Sequence, residues 1–540
     1  MKTGVQGTYN WWKELDSGFR RNDGKPHFLT FYEFIKLRET KMKRLHHSRL
    51  AASKSYPSGQ NHPPHPFGHW TVFFCVAVLS FFYLPGVISI CISTLSFRTV
   101  SIARDAGYDP NQSTSASLMS LANAATPLGA ACNAPQLPIT GTRILNVSTE
   151  AQLQTAINNL QAGDTLLLAD GTYNLTSSLY INGKDNVTLR GTSGCDNVVL
   201  AGKGMDNANY GNVEFGVWSN AANTTIAHLT IRDTWDNEII LNSGAQSTHI
   251  YSVKLLNAGS QFIKANPTDI ANGIGVNNGV LEYSWLEYTA GPPAADHGSG
   301  TGYTNGISAH AAQNWIIRGN LFKNFHTPDN ATYVWNPAVL MWNHSANTLV
   351  EQNVFINVDR AVAFGLQTQS SGFDHQGGTI RNNFVYMSPG LFSASRAAGS
   401  DGAIIVWDSP NSKVYHNTIL TNGNDAKSIE FRFAATTGCE ARNNLADAPI
   451  NLRDGATATQ SGNLLTATSS LFVNPASGDL HLLSSATAAI DKAATLSVVT
   501  NDFDGNSRPQ GAGYDIGADE YVSGTPNNTT PAPPAGLRVQ

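Results

Sequence analysis

Five asparagines recur through the second half of this chain at intervals of 27 to 34 residues, each closing a short, largely apolar run. Asn320 follows Ile316-Ile317-Arg318-Gly319, Asn353 follows Leu349-Val350-Glu351-Gln352, and Asn383 follows Thr379-Ile380-Arg381-Asn382. Asn417 and Asn444 close Val414-Tyr415-His416 and Glu440-Ala441-Arg442-Asn443, while Val253 and Ser284 carry the same phase backwards. A period in this range denotes stacked units rather than one globular sandwich. Helical repeats need a 3.6-residue pattern inside each unit, and none is present. Short strands broken by Gly, Asn, Asp and Ser instead predict an all-β, parallel β-helix solenoid. About eight units run from Leu229 to Arg453, each a short strand, a bend and a second strand. Identical side chains then stack roughly 4.8 Å apart, so each Asn amide can bond its neighbours and the turn backbone.

The second strand of each unit carries the functional information. Strand side chains alternate faces. With the apolar residues placed inward, the last outward position reads Asn242, Lys264, His310, Trp342, Gly365, Trp407, Arg432, Arg453. A face that met only water would carry Ser, Thr, Asn and Asp. Two indoles among cations and an imidazole predict a binding strip.

Composition limits the function classes. A formal net charge of −5 gives no basic excess for nucleic acid. Charged residues are only 14% while Gly numbers 48, which suits an extracellular β-solenoid and not a disordered chain. The five cysteines, Cys75, Cys91, Cys132, Cys195 and Cys439, lack metal-binding spacing. Cys132 and Cys195 can pair in an oxidising compartment.

Taken in order, residues 1–68 do not read as a domain, and Trp11–Gly24 resembles translated repetitive DNA ahead of a start at Met42. Residues 69–93 read as a signal peptide or signal anchor. Their apolar core, 70–93, exceeds the roughly 20 residues that span a bilayer, and basic residues before it place the remainder outside the cytoplasm. The protein is therefore expected to be secreted or displayed at the cell surface, and held at the membrane if that segment is uncleaved. Residues 94–142 read as linker, 143–521 as the β-helix domain, and 522–540 as a Pro/Thr-rich linker in which Ala532–Gln540 resembles the start of a fibronectin type III module. At the front of the domain, Thr149 and Gln152 form a capping box, and Leu153, Ala156, Ile157 and Leu160 form a helical stripe. Ala162–Tyr173 (AGDTLLLADGTY) follows, and the pair suits an amphipathic cap over the open end of the solenoid.

That helix and AGDTLLLADGTY resemble the N-terminal cap of the pectin-lyase-like superfamily, notably its chondroitinase B and alginate lyase group. Asp502–Pro509 (DFDGNSRP) and Asp515–Tyr521 (DIGADEY) resemble the tails of secreted bacterial right-handed β-helix proteins. The resemblance spans about 143–521 and implies a right-handed parallel β-helix. It leaves activity open, because the superfamily holds lyases, hydrolases, epimerases and non-catalytic adhesins.

A polysaccharide lyase neutralises a uronate carboxylate, removes the adjacent proton with a base of tuned pKa and protonates the leaving oxygen. Lys264, His310 and Arg360 are the candidate catalytic residues, with Lys264 and His310 on successive rungs so that one lowers the other's pKa. Asn242, Trp342, Trp407, Glu430, Arg432, Arg453 and His375 are the candidate substrate-binding residues, the arginines as carboxylate forks and the indoles as platforms for sugar rings. Loops at 266–279, 288–304, 326–337, 366–377 and 388–402 are expected to wall the groove, bringing Asp296, His297, Tyr303, His326, Asp374 and His375. A hydrolase needs two matched carboxylates, which Glu430 and Asp408 do not form in sequence. Calcium has Asp233, Asp236 and Glu238 as its only nearby acidic cluster. The favoured reading is a lyase acting on an acidic polysaccharide as a monomer. A non-catalytic glycan-binding or adhesin-type β-helix is the alternative, with epimerase or glycoside hydrolase third.

Overall fold

The structure is a computed structural model that describes residues 131–523. The expectations for 1–68, 69–93 and the final module lie outside the described residues, as does most of the linker. Among the described residues, no helix is long and apolar enough to cross a membrane.

Among the described residues, three parallel sheets of twelve, ten and ten strands stack rung on rung, and from Asp164–Leu168 onward each coil visits them in turn. One coil shows the pattern. Ile316–Arg318 lies in the twelve-stranded sheet, Leu321–Lys323 in the second, and Pro337–Trp342 in the third, before Leu349–Glu351 begins the next coil. This is a parallel β-helix with three strands per coil, one more than the repeat pattern suggested. The sequence hides the extra strand because only two residues separate it from the strand before it. The bend there is made by a residue in the left-handed region: Gly319 at φ 64°, Gln352 at 56°, Asn382 at 51°, His416 at 49° and Asn443 at 56°.

The asparagine after each bend builds a continuous hydrogen-bonded ladder. Asn320 Nδ2 donates to Asn353 Oδ1 at 3.0 Å, Asn353 to Asn383 at 3.0 Å, Asn383 to Asn417 at 2.9 Å, and Asn417 to Asn444 at 3.0 Å. Asn463 extends the series by one rung, at 2.9 Å. Each Oδ1 also takes the backbone N–H of the preceding rung, from Ser284 through Asn444. Each Nδ2 has its second hydrogen on a backbone carbonyl, as from Asn353 to Ile317 O. Asn320, Asn353, Asn383, Asn417 and Asn444 are all buried, so a satisfied amide replaces what would be stranded polar backbone.

Inside the coils, one column per sheet fills a single apolar core that runs from Val147 to Ala456 and includes Phe322, Phe355, Phe364 and Phe431. Helix Glu150–Asn158 takes its N-cap bond from Gln152 N to Thr149 and adds Leu153 and Ile157 to that core. Residues 131–140, part of the expected linker, instead lie on the outer face of the twelve-stranded sheet. The Cys132–Cys195 disulfide pins them there, and Tyr251 Oη donates to Pro135 O.

The parallel stack ends at Ala458–Ser461. Residues beyond it fold back over the outer face of the second sheet, where Phe503 stacks on Phe384 and Leu480, Leu482 and Ile516 complete a second apolar cluster. This tail bonds the bend residue of four successive rungs: Gln352 to Asp502 O, Asn382 to Asn501 O, His416 to Gly517 O and Asn443 to Ala494 O. Within the tail, His481 lies between Asp479 and Asp504, whose carboxylates together with Asp519 hold the imidazole well above its ordinary pKa against the opposing effect of burial.

The ladder gives a direct test. Asn353→Ala strands the backbone and side-chain N–H groups of Asn320, at about 1–3 kcal/mol each. The urea midpoint of the full chain is expected to fall clearly, and an unchanged midpoint would show the ladder to be dispensable.

Candidate active site on the third sheet

The outer face of the third sheet carries the predicted strip, with one register change. Ile263, not Phe262, takes the inward position opposite Ile307, so Lys264 pairs with Ser308 and Ala265 with Ala309. The reason is local. Phe262 turns into the core against Tyr288 and Phe325, with ring centroids 4.7 and 5.0 Å away. Lys264 therefore belongs to the neighbouring outward column, between Ile240 and Ser308.

The slip does not separate the two residues. Diagonal neighbours on adjacent strands are within reach of long side chains, and Lys264 Nζ lies 2.8 Å from His310 Nε2. Trp342 covers the pair. Its ring sits 4.7 Å from that of His310 and its Nε1 donates to Ser308 Oγ at 3.3 Å. Burial lowers the Lys264 amine to about 8, opposed by the carboxylate of Asp236. Burial, then the Lys264 charge, drives the His310 imidazole well below its ordinary value. Both residues are half-buried on the outer face of the sheet. On the same strand as Lys264, Gln261 holds the Tyr303 hydroxyl at 3.1 Å, and burial pushes that phenol up to about 12.

On the far side of His310, Asn343 Nδ2 meets His310 Nδ1 at 2.9 Å. Asn343 stands just past the end of strand Pro337–Trp342 at φ 52°, a left-handed conformation that Asn tolerates. Its Oδ1 takes bonds from Gln367 Nε2 and Gln369 Nε2, at 3.2 and 3.1 Å. Asp374 anchors this group, accepting from the backbone N–H of Asn343, Leu366 and Gln367 and from Gln369 Nε2. Burial raises Asp374 to about 6 while those donors restrain the rise, so it is ionised at neutral pH. Asn343 and Gln369 carried no signal in the sequence, because loops of two different coils bring them together.

Three to five rungs further along, the strip changes character. Trp407 is only 6% exposed, its Nε1 donates to Glu430 at 3.1 Å, and three guanidinium groups crowd its ring: Arg432 at 4.7 Å, Arg360 at 5.2 Å and Arg453 at 5.8 Å. The arginines meet the protein's own carboxylates. Arg360 and Arg453 share Asp401, Arg453 also binds Glu430 at 2.7 Å, and Arg432 binds Asp454 at 2.6 Å. The open platform and carboxylate forks expected of this group are thus filled from within, and Glu430 is buried beneath them. Arg360 is also buried, in the other half of the strip from the Lys264–His310 pair. Gly365 keeps the strip continuous, since a Cβ there would lie 1.9 Å from Trp407 O.

His375 does not face the groove. It is fully buried, stacked on Phe364 with ring centroids 4.0 Å apart, bonded to Ser409 and Thr348, and lowered by burial to about 3. Asn242 accepts from Asn266 Nδ2 at 3.0 Å. Its own amide nitrogen, one rung from Lys264, is without a partner among the described residues. Asp233, Asp236 and Glu238 do not converge as calcium ligands. Asp233 is engaged by Arg232 and Asn257, and Glu238 is fully buried, which pushes its carboxyl well above the usual carboxylate range. Among the described residues, two groups bring metal-capable atoms together: the disulfide with Asp196, and His481 with Asp504 and Asp519, already paired with each other.

No family model matches the chain, and no curated protein does. Among solved structures it is similar to an alginate lyase from Paenibacillus sp. str. FPU-7, at 16% identity and TM-score 0.41, covering 60% of this chain and 99% of that one. It is also similar to pectate lyase Pel9A (12%, TM-score 0.37, 71% and 97% covered) and to PfbA, a surface adhesin of Streptococcus pneumoniae (12%, TM-score 0.32, 58% and 86% covered). These are the kinds of protein that the sequence resemblance names. The fold itself rests on the strand pairing described above.

The lysine gives a pH test. Its folded pKa, about 8, lies below the ordinary 10.5, so between those values the unfolded chain binds more protons. Stability relative to Lys264→Met is expected to rise as pH goes from about 8 towards 10.5. A flat difference across that range would mean that the amine is not desolvated.

Proposed function

We propose that the protein is a polysaccharide lyase that cleaves a uronic-acid polymer by β-elimination at the Lys264–His310 pair. The observation that supports it is an amine of lowered pKa, 2.8 Å from an imidazole, at half-buried positions on the outer face of the third sheet. A base near the working pH is what proton removal beside a carboxylate requires. Lys264 takes the proton from the carbon next to the uronate carboxylate, the C–O bond to the leaving sugar breaks, and a carbon–carbon double bond forms. The leaving oxygen takes its proton from the same pair. The phenol of Tyr303, which accepts from Gln261 and keeps its own hydrogen, supplies a neutral donor for the sugar hydroxyls. Secretion or surface display fits the Cys132–Cys195 disulfide, which persists in an oxidising compartment.

A second reading, glycan binding without turnover, is favoured by aromatic residues at the other end of the sheet. Tyr180 is 44% exposed, and its ring lies 5.8 Å from that of Trp218 on the next rung. They stand three and two rungs before Lys264 in the same outward column.

The full chain incubated with alginate, pectate, chondroitin sulfate and other uronic-acid polymers is expected to raise the unsaturated-uronate absorbance with one of them. Lys264→Ala is expected to lower kcat by about 10²–10⁴-fold while leaving binding in place. Binding without absorbance change, weakened by Trp218→Ala and untouched by Lys264→Ala, would establish the second reading instead.

A further inference from the structure

We infer that Asp374, Gln369 and Asn343 act as positioning residues that lock His310 in its Nε2–H tautomer, with that hydrogen directed at Lys264 so that the lysine is held as the free amine. The argument follows from which groups can donate. An ionised carboxylate only accepts, so the Gln369 atom against Asp374 is its amide nitrogen. That nitrogen spends its second hydrogen on Asn343 Oδ1, which Gln367 Nε2 also engages. The other end of the Asn343 amide, its NH₂, therefore faces His310 Nδ1. Nδ1 must accept, and a neutral imidazole then carries its hydrogen on Nε2. Among the described residues Nε2 meets Lys264 Nζ, which can accept only through an unprotonated lone pair.

The arrangement divides the chemistry of the proposed site. An ammonium at Lys264 would oppose an N–H it cannot accept, so the uncharged amine is favoured over and above the effect of the surrounding apolar cover. Rotation about the lysine Cε–Nζ bond turns the lone pair to the groove, where it takes the substrate proton. The ammonium so formed returns that proton to the leaving oxygen, towards which His310 Nε2–H is released as a hydrogen-bond donor, and the free amine is regenerated. The charged and titratable groups acting on this assembly are Asp236 on the Lys264 side, and Asp374 with Asp408 behind Asn343 and Gln369, Asp408 being faced in turn by His344. The catalytic meaning rests on the lyase reading above. The tautomer itself does not.

Nitrogen-15 histidine spectra of the full chain, with His310 assigned by difference against His310→Gln, report the tautomer without any substrate. The wild type is expected to show a protonated Nε2 and a bare Nδ1, and so is Lys264→Met, because the orienting chain approaches from the other side. Asn343→Asp replaces the donor by an acceptor of the same shape and is expected to move the hydrogen to Nδ1. His310 Nε2 then accepts from an ammonium, and the Lys264 amine pKa, followed by its acylation rate against pH, is expected to rise by at least one unit, about fivefold less free amine at pH 8. A wild-type spectrum with the hydrogen on Nδ1, a tautomer that flips in Lys264→Met, or an Asn343→Asp protein with unaltered spectrum and amine pKa would each overturn the inference. If the spectra behave as expected and no polymer is cleaved, the tautomer stands and the lyase reading falls.

Discussion

Everything else in this fold depends on a buried amide finding four partners at once. A parallel stack must turn its chain sharply between sheets, and a sharp turn leaves backbone N–H and C=O groups facing the interior. In this protein the turn is a single left-handed residue, and the asparagine after it fills both deficits while bonding the asparagines of the rungs on either side. Side chains with fewer groups do this less completely. Ser284 Oγ accepts from Val253 N and donates to Glu282 O, without linking to a further side chain. The amide series therefore aligns the coils as well as satisfying them, and alignment is what gives the third sheet a regular outer face.

On that face, chemistry is set by how much water each group loses. Around Lys264 and His310, the covering indole and the neighbouring Ile240 and Leu340 remove water, and the carboxylate of Asp236 offsets only part of that loss, so both bases are pushed towards their neutral forms. Around Trp407, the protein supplies carboxylates to every arginine, and charge is retained but consumed internally. Two stretches of one strip, a few rungs apart, thus have opposite electrostatic characters. The first keeps titratable groups near neutrality, and the second holds its charges in internal ion pairs.

The sequence disclosed these features unevenly, for physical reasons. The ladder was plain because its function demands the same residue at each rung, with loops free to vary between 27 and 34 residues. The meeting of Lys264 and His310 survived an alignment that was wrong by two residues, since a long side chain reaches diagonally across strands. The second sheet stayed hidden because Ile316–Arg318 and Leu321–Lys323 read as one run with a bend. Arg360, Arg432 and Arg453 read as free cations because their partners Asp401 and Asp454 lie in loops whose positions no local pattern specifies. His375 read as a groove residue for the same reason, whereas its loop turns inward and pairs Ser345–Ala346 with His375–Gln376.

The C-terminal tail has a mechanical consequence. It is bonded to the bend residues of four successive rungs, at Gln352, Asn382, His416 and Asn443, and packs Phe503 onto the sheet between them. A stack without such a strap yields to a pull at its end by peeling one coil at a time, each held by a few bonds. With the strap, tension entering at Val522 is shared across several coils in shear, and the terminal coil is no longer the weakest point. The same spacing makes the tail a gauge: a coil gained or lost among those four would throw its contacts out of step, so length can change freely only in the loops or nearer the N-terminal end.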